Sequence, residues 1–337
     1  MKKKILVTGG LGFIGSHTVV CLHEAGFEPI IIDNLSNSQM SAMDGIKSLI
    51  GFEPTFVNAN VNDKKVLSQL IIDHKPDAII HFAAFKAVGE SVEKPLMYYE
   101  NNVVGLISVL EVMKEQGISN LVFSSSCTVY GEPDQVPVLE TTQTKPAQSP
   151  YGATKQMGEI ILKDNSTWCK TQCLRYFNPI GAHPTAALGE LPLGIPNNLI
   201  PYLTQTVAGL RSELTVFGND YDTPDGTCIR DYIHVMDLAE AHVKAVERLV
   251  KNKQEENFEL FNIGTGNGFS VLEVIQSFEK ENNIKVPHKI GPRRNGDVVK
   301  VWADTTKVNE VLGWTAKRGL DEMMRDAWNW QLKLQKN

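Results

Sequence analysis

A short apolar run followed at once by three spaced glycines constrains this chain more than any other feature. Ile5-Leu6-Val7 leads into Thr8-Gly9-Gly10-Leu11-Gly12-Phe13-Ile14-Gly15, and a helical pattern runs on to Ala25. A strand that turns through glycines into a helix meets three needs: a tight turn, close approach of backbone to a pyrophosphate, and close packing of helix on strand. The helix N-terminus adds free N–H groups and a partial positive charge. Pro29 to Ile32 reads as a second strand ending at Asp33. A carboxylate there accepts from adenosine ribose hydroxyls and repels a 2′-phosphate. No arginine among Asn34 to Gln39 offsets that repulsion, so the spacing predicts NAD over NADP. A turn that merely needs glycine is the competing reading. The strand before it and the acid after it count against that.

The first half continues as strand and helix in alternation. Thr55-Phe56-Val57, Ala78-Ile79-Ile80 and Leu121-Val122-Phe123 read as strands, with helices over 63–74 and 95–116. Continuous apolar runs indicate strands buried on both faces, and their alternation with helices implies parallel pairing with right-handed crossovers. The predicted fold class is therefore α/β: a doubly wound, Rossmann-type parallel sheet with a second, smaller α/β domain. The boundary is expected near 180, giving a dinucleotide domain over 1–180 and a substrate domain mainly over 181–337. Segments around 218–240 and 258–265 are candidates to return to the first sheet. Residues 179–200, rich in proline and glycine, read as a functional loop.

Composition removes other classes. Hydrophobic residues make up 42% and charged residues 21% of the 337, which excludes disorder and fibrous folds. The net charge of -6 argues against a long polyanion such as nucleic acid, but not against a small anionic ligand. The five cysteines, at 21, 127, 169, 173 and 228, lack zinc-site spacing, so no metal is expected. Cys169 and Cys173, four apart, read as buried thiols on a helix. Met1-Lys2-Lys3-Lys4 imitates the basic start of a signal peptide, but Ile5 to Thr8 breaks into glycines, and no membrane span is expected. The expected location is a reducing cytoplasm.

Ser149-Pro150-Tyr151-Gly152-Ala153-Thr154-Lys155 carries the chemistry. Ser149 suits a helix N-cap and Pro150 the first helical position, which puts Tyr151 and Lys155 on one face. A free tyrosine, with a pKa of about 10, is a poor base at neutral pH. A nearby ammonium, a cationic nicotinamide ring and a helix N-terminus all favour its phenolate. Tyrosine and lysine at this spacing also occur by chance, so the second component matters. Ser124-Ser125-Ser126-Cys127 ends the fifth strand, at the carboxyl edge where such sheets bind ligands. A hydroxyl there can relay a proton to Tyr151, although turn or capping serines would look the same.

Together these motifs resemble the extended short-chain dehydrogenase/reductase superfamily. His81 to Ser91, Leu174 to Pro179, Gly194 to Leu199, Phe217 to Tyr221 and Arg230 to Val235 narrow the resemblance to the UDP-glucose 4-epimerase family, over about residues 3–332. It implies an isomerase of carbohydrate (galactose) metabolism that interconverts UDP-glucose and UDP-galactose through a transient 4-keto sugar, with tightly bound NAD. It also implies a homodimer through helices near 95–116 and 150–170. Tyr151, Lys155 and Ser126 would be catalytic. The cofactor site would take Gly9, Gly12, Phe13, Ile14, Gly15, Asp33, Asn34, Asn60, Val61, Phe82, Lys86, Asn101, Ser124 and Phe177, besides Tyr151 and Lys155. The UDP-sugar would meet Ser126, Asn178, Asn198, Leu199, Thr215, Val216, Phe217, Arg230, Tyr232, Arg294, Asp297 and Val301. Arginines 230 and 294 suit forked bonds to diphosphate oxygens.

Two positions depart from the family pattern. Asn60 stands where many relatives have aspartate, yet its carbonyl can still accept from an adenine amino group. Val301 stands where relatives strict for UDP-glucose have tyrosine, and this smaller side chain implies acceptance of N-acetylated UDP-sugars. Nucleotide-sugar dehydratases and decarboxylases are the nearest rivals. A dehydratase carries an Asp-Glu pair where Cys127-Thr128 stand here, and the glutamate typical of decarboxylases is also missing. A non-catalytic NAD-sensing regulator is the rival from another class, but it would not need Tyr151 and Lys155.

Overall fold

A computed structural model describes residues 2–294 and 297–336. The first half lays down β1 (Lys4–Thr8), α1 (Phe13–Glu24), β2 (Glu28–Asp33), α2 (Ser41–Ile50), β3 (Thr55–Asn58), α3 (Lys64–His74) and β4 (Ala78–His81). Then come α4 (Val88–Glu93), α5 (Pro95–Tyr98), α6 (Gly105–Glu115), β5 (Asn120–Ser126), α7 (Pro150–Asp164), β6 (Lys170–Tyr176) and β7 (Asn178–Ile180). The second half adds α8 (Leu199–Val207), β8 (Leu214–Phe217), β9 (Ile229–His234), α9 (Val235–Val250), β10 (Phe258–Ile263) and β11 (Gly268–Ser270). It ends with α10 (Val271–Asn282), β12 (His288–Gly291), β13 (Lys300–Val301) and α11 (Leu320–Leu334).

Seven parallel strands form the main sheet in the order β10-β6-β5-β4-β1-β2-β3. Strand order reverses between β1 and β4, which opens a crevice at their carboxyl ends. Side chains alternate between two cores. Ile5 and Val7 pack with α1, α2 and α9, whereas Leu6 packs with α3, α6 and α7. Burial on both faces is why these strands read as unbroken apolar runs. Beyond the carboxyl ends, β7, β9, β11 and β13 form a small sheet and β8 pairs with β12. A third core, including Leu203, Val216, Phe278 and Met324, joins α8, α10 and α11 to these strands.

Three readings are corrected. Cys169 and Cys173 are not on a helix: Cys173 lies within β6 and Cys169 just before it. Their spacing matches a helical turn, but pairing with β5 on one side and β10 on the other makes the segment a central strand. The helix expected over 95–116 is interrupted by a π-helical turn, Tyr99–Val104. That turn carries Asn102, whose amide accepts from Phe85 N at 2.8 Å and donates to Phe85 O at 3.0 Å and Thr154 Oγ1 at 3.1 Å. Such widened turns recur where a side chain must be re-aimed at a site. Finally, the loop over 179–200 is not wholly irregular, since β7 begins it and α8 ends it.

Candidate active site

The glycine turn is built as its spacing requires. Gly9 has φ +69, and a Cβ there would stand 2.9 Å from Ala83 N. A Cβ on Gly15 would stand 2.2 Å from Gly9 O, so only glycine lets α1 pack this closely. Gly12 starts α1 with no side-chain cap, and no acid occupies the first turn. This bare, twelve-residue helix presents its N-terminus to the crevice, which suits a diphosphate. Asp33 is buried and held on both oxygens: Leu11 N donates to Oδ2 at 3.0 Å, and Leu35 N and Ser38 Oγ donate to Oδ1 at 2.9 and 2.8 Å. Oδ1 already accepts two donors, whereas Oδ2 accepts one and keeps a lone-pair direction for a further donor. One groove of about 540 Å³ brings together Gly9, Gly12, Asp33, Asn34, Asn60, Val61, Phe82 and Asn101. Phe13, Ile14 and Gly15 follow on α1. Lys86 reaches back over them, with Nζ 5.7 Å from the Phe13 ring centroid.

At the carboxyl end of β5 the candidate catalytic side chains meet. Ser149 caps α7 by accepting from Gly152 N at 3.2 Å, and Pro150 starts the helix. Tyr151 and Lys155 therefore point one turn apart toward β5, and both are buried. Lys155 Nζ donates to Ser124 O at 2.6 Å and lies 5.1 Å from the Phe123 ring centroid and 5.8 Å from that of Tyr151. Burial pulls Lys155 down to about 8, against the pull of Cys173 and Glu159. Burial pushes Tyr151 well up, with Tyr176 adding to the rise and a hydrogen bond with Ser126 opposing it. The phenolate expected from the sequence is thus not produced by the chain alone. The ammonium is committed to Ser124 O, and desolvation prevails. Ser124 also bonds Tyr176 through its hydroxyl, and Ser126 Oγ accepts from Thr128 N at 3.2 Å.

Asn178, Thr215, Val216, Phe217, Arg230, Tyr232 and Val301 lie on the smaller sheets, Asn198 and Leu199 at α8, Arg294 and Asp297 outside the strands, and Ser126 on β5. Asn178 pairs with Tyr232, and Arg230 with Val301. Asp297 draws two arginines together, at 2.7 Å from Arg294 and 3.8 Å from Arg230. Arg294 also stacks over the exposed Phe217, 5.6 Å from its centroid. Thr215 lies on β8, while the Val216 side chain turns into the third core, leaving its backbone for any ligand. Tyr232 is buried there too, and burial pushes it up to about 12. Val301 packs with Phe177, Val129 and Tyr130 in a small fourth core beside the serine strand. Asn198 stands at the start of α8, next to Leu199, and its side chain makes no capping bond there but donates to Glu190 at 2.8 Å.

A buried network behind the site escaped the sequence reading. Glu159, one turn beyond Lys155, accepts from Arg175 Nε at 2.8 Å and from Ser125 Oγ at 2.5 Å. Arg175 also donates to Tyr130 OH at 3.1 Å, and Tyr130 donates to Asn262 at 2.6 Å. The signal for Glu159 was its spacing from Tyr151 and Lys155. For Glu190, inside the irregular loop, there was none. No group of three or more His, Cys, Asp or Glu suited to a metal occurs among the described residues.

Known proteins place this arrangement. Residues 6–327 match the family model described as GDP-mannose 4,6 dehydratase. UDP-glucose 4-epimerase 2 of Arabidopsis thaliana is 50% identical over 98% of this chain and 95% of its own. The chain belongs to the UDP-glucose 4-epimerase family. Among solved structures, the epimerase of Stenotrophomonas maltophila, with bound NAD and formylated UDP-arabinopyranose, superposes with a TM-score of 0.95 at 45% identity, covering 99% of both chains. The epimerase of Bifidobacterium longum, in complex with NAD+ and UDP, gives 0.94 at 42%, covering 98% of both.

Proposed function

We propose that the chain interconverts UDP-glucose and UDP-galactose with bound NAD, through a transient 4-keto sugar. The observation that carries this reading is the convergence of Tyr151, Lys155 and Ser126 on the carboxyl end of β5, beside a glycine turn and an Asp33 that fit a dinucleotide. The dinucleotide would lie along residues 9–15, 33–34, 60–61, 82–86 and 101, reaching Ser124, Lys155 and Phe177. Bound NAD supplies a reversible acceptor for the hydride at the sugar C4. Tyr151 takes the 4-hydroxyl proton and later returns it, with Ser126 aligning the hydroxyl. Lys155 holds the nicotinamide ribose. Arg230 and Arg294 exchange Asp297 for the substrate diphosphate, and Asp297 is then free for the ribose. On this reading the main sheet is the cofactor domain and the later, smaller sheets grip the nucleotide sugar. The test is to mix the purified protein with UDP-galactose and no added NAD. UDP-glucose is expected to form, and its absence from protein that carries NAD counts against the reading.

Dehydration is disfavoured by the site. Its acid–base pair would have to be Cys127 and Thr128, but burial pushes the Cys127 thiol up to about 12 and a threonine hydroxyl does not titrate near neutrality.

The Val301 position supports wider substrate use. Valine is smaller than the tyrosine of the strict relatives, and it packs beside Phe177 and Tyr130. UDP-N-acetylgalactosamine is expected to turn over beside UDP-galactose. Val301→Tyr is expected to cut kcat/KM for the N-acetyl sugar by about tenfold or more while sparing UDP-galactose. Steady-state assay of both sugars on both proteins checks this, and equal losses on the two would point to overpacking instead.

Exposed apolar side chains on neighbouring helices support a homodimer: Leu96, Val104 and Ile107 on one side, Met157 and Ile160 on α7. All five cysteines are unpaired, which supports a reducing cytoplasm. Among the described residues, no helix is long and apolar enough to cross a membrane.

A further inference from the structure

One carboxylate oxygen joins the two halves of the site. Glu190 Oε1 accepts from Lys86 Nζ at 2.8 Å and from Asn198 Nδ2 at 2.8 Å. Lys86 Nζ lies over the Phe13 ring at the start of α1, next to the glycine turn that opens the groove. Asn198 opens α8, in the half that carries the arginine cluster. The Glu190 backbone is fixed independently of both. Its carbonyl accepts from Trp330 Nε1 at 2.9 Å. Gly189 lies flat against the same ring, where a Cβ would come within 2.4 Å. Ala182 bridges to Gly189, and Leu188 is buried in the main core.

We infer that Glu190 couples the two sites, so that a bound nucleotide sugar slows the release of NAD. This rests on the reading of the two grooves given above. Glu190 is a positioning residue: a side chain on a fixed hairpin, pinned at its tip by two donors from opposite sides. A ligand that immobilises Asn198 removes freedom from the shared carboxylate, and Lys86 then pays less entropy to stay over the groove. The Glu190 side chain is only 13% exposed against 41% for Lys86, so the pair is better shielded than an open surface ion pair. Coupling of this kind is reciprocal, so NAD also tightens the hold on the sugar nucleotide.

The test follows release from the NAD-loaded protein. The protein is diluted into an excess of a second dehydrogenase with its alcohol substrate, which traps freed NAD as the reduced form. The measurement is made with and without saturating UDP. In the wild type, UDP is expected to slow release by about tenfold or more. In Glu190→Ala the slowing is expected to fall below about threefold, with the melting temperature close to wild type. Glu190→Gln keeps a side-chain oxygen that can accept from Lys86 and Asn198, and is expected to retain more of the slowing than Glu190→Ala. A slowing of wild-type size in Glu190→Ala overturns the inference, as does a wild type that UDP does not affect. Wild-type protein that carries NAD but fails to interconvert the two hexoses overturns the functional reading instead, and the release data still decide the coupling.

Discussion

Tyr151→Phe is expected to lower interconversion of UDP-galactose and UDP-glucose by about 10³-fold while leaving NAD in place. The change removes one oxygen and nothing else. The ring stays packed against β5, and the Lys155 bond to Ser124 O is untouched. Only the proton acceptor is lost. In the chain alone burial pushes that phenol up, so a positive charge near it, such as Lys155 or a bound nicotinamide, favours its role as base. A variant that binds NAD normally but turns over slowly places the defect in proton transfer. Retention of more than about a tenth of wild-type kcat would remove Tyr151 from the role of base, since a positioned base contributes at least tenfold more than that.

Glu159→Ala carries the largest expected effect on stability, about 3–5 kcal/mol. It leaves the Arg175 guanidinium, only 5% exposed, without its carboxylate in the interior. It also strips the acceptor from Ser125 Oγ, directly behind the reacting serine. Denaturant unfolding, with its midpoint and slope both measured, gives the loss. The charge-free pair Glu159→Met with Arg175→Met is expected to recover much of it, because the cost lies in the stranded charge rather than in the lost attraction. If the single variant unfolds at the wild-type midpoint, the network does not hold α7 to β5 and β6. The same carboxylate helps Lys155 keep its proton against burial. The double variant is therefore expected to lose activity at a lower pH than wild type, as the lysine neutralises earlier.

The sequence was most informative where one physical requirement dominates. Gly9 and Gly15 admit no Cβ, and strands buried on both faces leave unbroken apolar runs, so the sheet and its glycine turn were readable. Tyr151 and Lys155 were readable because a helix cap fixes their shared face. Cys173 was misplaced because four-residue spacing says nothing about neighbouring strands that arrive from elsewhere in the chain. The π turn at Tyr99–Val104 was missed because its cause, Asn102 bonded to Phe85 and Thr154, is tertiary. Glu190 was missed for the same reason, since its partners lie 104 and 8 residues away. Composition and spacing do not report desolvation, so the rise that burial imposes on Tyr151 in the chain alone was not readable.

The position of β10 has a consequence for how the protein is made. This strand completes the main sheet beside β6, and α9 covers α1, yet both follow the first residues of the smaller sheets in the chain. During synthesis β6 remains an open edge, and one sheet face remains partly bare, until residue 263 has left the ribosome. A truncation at 180 would expose that edge permanently and invite aggregation. The main sheet is thus contiguous in space but not in translation, and the nascent chain has to begin the smaller layer before it can finish the larger one.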